Sequence, residues 1–261
     1  MKARDTLTVV GLLLVWLMAG TAAGATAESG TDPLDSPRWG DMRKQFFVNA
    51  KVVFDDRIKV IAPEVAEDPL NVPITVDASA LGKVQSVLVF ADFNPILHAL
   101  SFTPQAASAY LGFRLKLQQS SPVRAAVKTA DGVWHVGGTI VTTTGGGCTV
   151  PSTGSASPEW QQRLGEVNGR IWEQEQGERL RLRIIHPMDT GLSGTTPAFF
   201  LQQIQITDAE GVPLMKIEPH EPVSENPVFT LRLPNTGNNG KRLQVQGWDN
   251  NGNNFDSWVE Q

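Results

Sequence analysis

Cys148 is the residue whose type and neighbours most clearly indicate chemistry. It is the only cysteine in the chain, so it cannot form an internal disulfide. Three glycines, Gly145, Gly146 and Gly147, come directly before it and offer no side chain that could shield the sulfur. Glycine also gives the backbone wide conformational freedom. We therefore predict an exposed thiol on a glycine-rich arm, which visiting molecules can reach and load.

Burial is the alternative for this thiol, because many free cysteines act as small apolar side chains inside a core. The sequence next to Cys148 favours exposure, since it lacks the apolar neighbours of a core strand. A sulfur sealed inside the fold would contradict a role that depends on visiting molecules. A free thiol has a pKa of about 8.5, and no lysine or arginine stands nearby in the sequence to lower it.

A cysteine–histidine enzyme is a second use of the same thiol. His135 lies in a predicted strand that leads to Cys148, and Asp131 is close enough in sequence to orient it as a base. The glycines argue against this interpretation, because catalysis needs a rigidly held nucleophile. We expect His135 to be an ordinary surface histidine and predict no catalytic residue.

The other histidines and carboxylates do not form a metal motif. His186 and Met188 are ligand types that suit copper, but Pro187 between them favours a turn. The segment 249–256 superficially resembles a calcium loop, yet its glycine and acidic residues stand at the wrong positions. A hairpin turn is expected there. We predict neither a metal nor a cofactor, because the histidines stand singly in the sequence: His98, His135, His186 and His220.

The N-terminus has the pattern of an export signal. Lys2 and Arg4 precede an apolar stretch over residues 7–18, and small residues over 23–27 offer cleavage sites. The apolar stretch is shorter than the roughly 20 residues that span a bilayer. We predict that residues 1–27 are removed and that the mature protein is periplasmic, with no membrane span. The net charge of −5 argues against a nucleic-acid partner.

Most of the remaining chain consists of short segments rich in β-branched residues and separated by turn residues, which is typical of antiparallel sandwiches. In the first half the predicted strands are Val52–Phe54, Ile58–Ile61, Val72–Val76, Val84–Phe90, Gly112–Leu117, Val123–Val127 and Trp134–Thr142. In the second half they are Arg179–Ile184, Phe199–Thr207, Leu214–Ile217, Val228–Leu233, Leu243–Trp248 and Phe255–Val259. A short helix is predicted over Asp32–Phe47, with Ser36 as its cap.

Small and polar residues with two prolines fill residues 151–160, which predicts a linker. The predicted organisation is therefore a signal peptide, a β-sandwich over 28–150 that ends in the glycine–cysteine segment, the linker, and a second β-sandwich over 161–261. The fold class is all-β, with two sandwich domains in tandem and a short N-terminal helix.

These residues carry a family resemblance. Residues 47–150 resemble SoxY, the thiol-bearing half of a bacterial sulfur-oxidation carrier, and the chain from about residue 180 resembles its partner SoxZ. The SoxY likeness rests on Ile61–Glu67, Phe93–Pro95, Ser121–Arg124, the Asp131–Gly132 turn and Gly145–Cys148. The SoxZ likeness rests on His186–Leu192, Pro222–Pro227 and Trp248–Gly252.

The resemblance implies that both halves are immunoglobulin-like and that they pair within one chain. It implies that Cys148 is the covalent attachment site for thiosulfate-derived sulfur, with Gly145–Gly147 as the arm. It also implies a domain-contact element formed by His186, Pro187, Met188, Asp189, Thr190 and Gly191. In SoxY the cysteine ends the chain, whereas here Thr149, Val150 and a second domain follow it, so this arm is tethered at both ends.

Three hypotheses follow, in this order. The first is a periplasmic, non-enzymatic thiol carrier that passes a sulfur-containing or other thiol-reactive group between partners. The partners implied are c-type cytochromes, sulfur-oxidation enzymes or a quinoprotein dehydrogenase, because the fused arrangement resembles SoxYZ-like carriers associated with quinoprotein alcohol dehydrogenases. The second is a structural adaptor or assembly factor for such a dehydrogenase. The third is the thiol enzyme that uses His135.

Overall fold

The sequence forms two β-sandwich halves that share both of their sheets. A computed structural model describes residues 30–152, 158–175, 177–234 and 242–261. The predicted signal peptide and residues 153–157 of the predicted linker lie outside these residues. No helix within the described ranges is long and apolar enough to cross a membrane.

The first half contains one helix, α1 (Trp39–Phe46), and a 3₁₀ turn at Ser79–Leu81. Its strands are β1 (Val52–Phe54), β2 (Lys59–Ile61), β3 (Val65–Ala66), β4 (Val72–Asp77), β5 (Val84–Ala91), β6 (His98–Thr103), β7 (Tyr110–Leu115), β8 (Ser121–Thr129) and β9 (Trp134–Thr143).

The second half opens with a short helix, α2 (Pro158–Gln162). Its strands are β10 (Val167–Gln174), β11 (Gly177–Ile184), β12 (Leu201–Thr207), β13 (Pro213–Pro219), β14 (Val228–Leu233), β15 (Arg242–Asp249) and β16 (Asn254–Glu260). All thirteen strands expected from the sequence have counterparts here, and β3, β6 and β10 are additional.

The two halves join edge to edge. The larger sheet has the order β1-β9-β8-β5-β6-β13-β12-β15-β16, with β3 paired to β9, and the smaller has the order β10-β11-β14-β7-β4-β2. Strand β6 of the first half pairs with β13 of the second, and β7 pairs with β14. Pairing satisfies backbone groups that would otherwise be left at an exposed sheet edge. The halves are therefore parts of one continuous sandwich.

The core runs through this junction without a break. Leu111 on β7 and Leu231 on β14 are opposite one another in the register, and both are fully buried. Phe102 on β6 and Ile217 on β13 form an equivalent buried pair in the other sheet. Because each sheet supplies apolar residues from both halves, hydrophobic burial stabilises the junction as it does the interior of each half.

The predicted N-terminal helix begins later than expected. It starts at Trp39 after an N-cap at Arg38 that has no side-chain cap hydrogen bond, so the prediction of Ser36 as the cap is wrong. The preceding residues form turns because the Asp32 carboxylate accepts hydrogen bonds from the backbone N–H groups of Leu34 and Ser36. These local bonds compete with helical ones.

A buried ion triad fixes this N-terminal segment to the first half. Arg124 on β8 is 1% exposed and lies 3.0 Å from Asp92 and 2.7 Å from Asp32. Its guanidinium also lies over the Trp39 ring at 4.8 Å. Two carboxylates therefore depend on one cation in a place with little water.

Replacing Arg124 by methionine should destabilise the protein by about 3–5 kcal/mol, because it leaves two buried carboxylates without their cation. Urea unfolding of Arg124→Met and the parent measures the difference. The matched control is Arg242→Met, since Arg242 is exposed; a loss for Arg124→Met no greater than for this control would contradict the prediction.

Candidate functional site

Cys148 is buried, and the prediction of an exposed thiol is wrong. Its exposed fraction is 0%. The thiol lies 3.6 Å from the backbone carbonyl of Lys116, to which it donates, and the Cys148 N–H donates to the Gln118 side chain at 3.2 Å. The Cys148 carbonyl accepts a hydrogen bond from the Thr190 hydroxyl at 2.6 Å. Both halves of the chain therefore enclose the sulfur.

The three glycines explain how the segment packs instead of extending. Gly147 donates its N–H to the Leu117 carbonyl at 3.0 Å. A Cβ atom at this position would lie 2.2 Å from the Pro69 carbonyl oxygen, so no residue with a side chain fits. Gly145 has φ +85° and the same close approach to Gln118. These glycines allow close backbone contact, so the prediction of a free glycine arm is wrong.

Asn94 holds the strand end on which this segment rests. Its side-chain amide donates to the Lys116 carbonyl at 2.8 Å, and its side-chain oxygen accepts from the Gln118 N–H at 2.9 Å. Asn94 is 2% exposed. The Phe93–Pro95 piece of the family likeness therefore positions the backbone that surrounds the sulfur.

Lys116 is the functional group that the sequence reasoning missed. It is 3% exposed, and its ammonium group donates to the backbone carbonyl of Met188 in the second half. Burial lowers the pKa of Lys116 to about 8, against the opposing influence of Asp189, Cys148 and Glu225. The one available signal was a lysine between two core leucines, Leu115 and Leu117.

The thiol and this lysine change each other's protonation. Burial raises the pKa of Cys148 to about 11, although Lys116 and the hydrogen bond with Gln118 act in the lowering direction. The thiolate is the reactive form of cysteine. In this closed arrangement the sulfur at neutral pH is therefore a protonated thiol without access to solvent.

The segment 186–191 contacts the first half around the cysteine. Asp189 accepts hydrogen bonds from the backbone N–H and the hydroxyl of Ser152, at 2.8 and 3.1 Å. Met188 also accepts a hydrogen bond from Lys116, and Thr190 donates one to Cys148. The segment 186–191 is therefore bonded to the first half on both sides of the sulfur. Met188 has φ +51°, a left-handed backbone that turns the chain towards this contact.

His186 supports this turn from within the second half. Its Nδ1 accepts the Met188 N–H at 3.1 Å, and its Nε2 lies 3.4 Å from an Asp249 carboxylate oxygen. Burial lowers the pKa of His186 to about 4, in spite of the neighbouring Asp249. A neutral imidazole here is consistent with a positioning role for the turn. The Asp249 carboxylate also holds the β15–β16 hairpin turn, which was expected over 249–256.

His135 has its own carboxylate, which is not the predicted one. Its Nδ1 lies 2.7 Å from Asp55, whereas Asp131 accepts hydrogen bonds from the Thr129 hydroxyl and the Val133 N–H. The thiol hydrogen bond of Cys148 goes to the Lys116 carbonyl. The structure therefore does not bring together the Cys148–His135–Asp131 arrangement that the thiol-enzyme hypothesis requires.

The fold and this site define a class: two paired β-sandwich halves with a single thiol at the end of the first. Residues 43–148 match the family of the sulfur oxidation protein SoxY, and residues 171–260 match that of the sulphur oxidation protein SoxZ. The chain belongs to these families, as a SoxY domain followed by a SoxZ domain in one polypeptide. The SoxY match ends at Cys148 itself.

One solved structure in the comparison is that of the sulfur carrier protein SoxY from Chlorobium limicola f thiosulfatophilum. It shares 22% sequence identity, with a TM-score of 0.36, and the match covers 41% of this chain and 96% of that one. No curated protein matches the chain. The reported matches name no quinoprotein dehydrogenase, so that association stays a prediction.

Gly147→Ala should open the site without unfolding the protein. The added Cβ would overlap the Pro69 and Leu117 carbonyl oxygens, and overpacking of this kind costs about 1–3 kcal/mol. The overlap destabilises the closed conformation of the segment but not an open one. Labelling of Cys148 by iodoacetamide should therefore accelerate roughly tenfold or more. The matched control is Thr144→Ala, at an exposed position. Equal labelling rates for the two variants would contradict this account of the glycines.

Proposed function

We propose that the protein is a non-enzymatic carrier that holds a sulfur-containing group covalently on Cys148. The observation that carries this proposal is that the only cysteine of the chain is the last residue of the SoxY-matched region. Its pairing with a SoxZ domain in one chain supports the same function. The second support is chemical, because the buried ammonium group of Lys116 acts electrostatically on the one thiol that could bear a cargo.

The closed structure requires a revised form of the carrier. The notion of a permanently open arm does not hold, since a buried thiol cannot exchange cargo. We propose that residues 144–150 leave their position for loading and unloading, and return afterwards. Glycine gives the segment the conformational freedom for this change. The closed form would protect the thiol, or its cargo, from unwanted reaction.

Loading of thiosulfate on Cys148 is an oxidation, so a partner must accept the electrons that are released. When the Cys148 thiol joins the outer sulfur of thiosulfate, one S–S bond forms and one S–H bond is lost. One proton and two electrons leave, and the product is an anionic S-thiosulfonate. We propose a c-type cytochrome as the class of electron acceptor, which is a partner class that the family resemblance implies. Lys116 would stabilise the negative charge of the adduct in the closed state.

The proposed location is the periplasm, on the basis of the predicted signal over residues 1–27. N-terminal sequencing of protein taken from the periplasmic fraction tests this: the chain should begin at residue 28, or at residue 26 if the earlier cleavage site is used.

The mass of the intact protein tests the carrier directly. Protein isolated from cells that oxidise its substrate should show an added mass on Cys148 that is lost on reduction. A Cys148→Ser variant should lack the added mass, and cells that carry it should grow as poorly as cells without the gene. The adaptor hypothesis instead expects this variant to support growth as the parent does. Protein that is always unmodified, with a fully active Cys148→Ser variant, would reject the carrier.

The pH dependence of alkylation tests the opening step. The closed thiol has a pKa of about 11, and an exposed one has a pKa of about 8.5. If Cys148 reacts only after opening, its rate with iodoacetamide near neutral pH should be about 100-fold below the rate in urea, which corresponds to an opening free energy of about 3 kcal/mol. Because the thiolate favours the open state, the rate in the folded protein should keep rising above a pH of about 8.5, where the rate in urea levels off. A rate in the folded protein equal to that in urea, with the same pH profile, would contradict a closed resting state. Complete resistance to alkylation would leave only a likeness of fold to the carrier families.

A further inference from the structure

A basic face lies on the outer side of the smaller sheet. Arg179, Arg181 and Arg183 alternate along β11 and are exposed, while the residues between them are buried. This is the alternation that a strand with one buried side must have. The chain as a whole has a net charge of −5. The three arginines therefore form a local positive region on a protein whose overall charge is negative.

A depression lies in the middle of this face. In the register, Arg181 is opposite Thr230 on β14, Thr230 is opposite Gly112 on β7, and Gly112 is opposite Thr75 on β4. A Cβ at Gly112 would lie 3.3 Å from Thr230 and 3.4 Å from Thr75. The missing side chain therefore leaves a hollow between two hydroxyl-bearing threonines. Its volume is 320 Å³, and Arg114, Arg179 and Arg181 line it.

Arg114 lines this hollow and has one donor without a partner. Its Nε is buried and has no hydrogen-bond partner among the described residues, although its terminal nitrogen donates to the Asn226 carbonyl at 3.2 Å. A buried donor without a partner costs free energy. Burial, and then the neighbouring Arg183 and Arg181, lower the pKa of Arg114, whereas Asp68 acts in the opposite direction.

The carboxylates near this face have other partners. Asp77 pairs with Arg232 at 2.9 Å, Glu166 pairs with Arg163 at 2.7 Å, and Asp68 accepts hydrogen bonds from Leu70 and Asn71. Within the described ranges, Arg181 forms no ion pair. The hollow is therefore lined by cations whose charge is not neutralised by a paired carboxylate.

We propose that this hollow binds a small divalent oxyanion of the sulfate type. Guanidinium N–H groups and hydroxyls are the donors that such an anion requires, and residues that carry them line one concave space between the two halves. Arg181 comes from the SoxZ domain, and Arg114, Gly112 and Thr75 come from the SoxY domain. This site goes beyond the proposed carrier function and does not use Cys148.

The test is calorimetric titration of the full chain with sodium sulfate, with ionic strength held constant by sodium chloride. We expect one saturable site with a Kd of about 1 mM or tighter. Arg181→Gln removes a charged donor from an exposed position and should weaken binding roughly tenfold or more. Thr230→Val keeps the side-chain volume, removes a hydroxyl, and should weaken binding to a smaller extent.

Two controls make the outcome specific. Arg242→Gln removes an exposed arginine that is stacked on Trp258 at 3.9 Å, outside the hollow, and should bind sulfate as the parent does. Cys148→Ser should also bind normally, so failure of the carrier proposal would not affect this result. Absence of saturable binding, or equal losses for Arg181→Gln and Arg242→Gln, would overturn the site. Binding of an acidic peptide that sulfate cannot displace would overturn it as well, in favour of a protein partner.

Discussion

Close contact between the backbone of residues 145–148 and the strand end at 116–118 is the constraint on which the site depends. Gly147 reaches Leu117 only because it has no Cβ, and Asn94 fixes the strand end that receives it. The contact places the sulfur in a buried position beside Lys116. The same few hydrogen bonds therefore determine the exposure of the thiol, its protonation and the work needed to expose it.

The thiol and the lysine have opposite effects on the pH dependence of stability. The pKa of Cys148 is about 11 in the folded state and about 8.5 when exposed, so its contribution to stability is lost as pH rises through this window. The pKa of Lys116 is about 8 when folded and about 10.4 when exposed, so its contribution to stability grows with pH in an overlapping window. The two effects oppose each other. The folded state therefore loses less stability at alkaline pH than it would if Cys148 alone were buried.

Fusion of the two domains makes the junction a permanent part of the molecule. Both sheets cross it, and its contacts include Lys116 with Met188 and Cys148 with Thr190. Opening of the cysteine segment must therefore break contacts with the second domain as well as the first. The basic face crosses the same junction on the outside of the smaller sheet, since β11 and β7 belong to different domains.

The sequence alone determined the all-β class, the two-part organisation, most strands and the one cysteine that could carry a group, because these depend on local alternation and composition. It did not determine β6, whose residues include few β-branched types, nor the joining of this strand to β13. It also predicted the wrong environment for Cys148, since glycine permits both a free arm and a close backbone contact. Only the tertiary structure decided between them, by bringing Pro69, Leu117 and Thr190 around the segment. Lys116 acquired its role in the same way, because charges distant in sequence meet only when the strands pack.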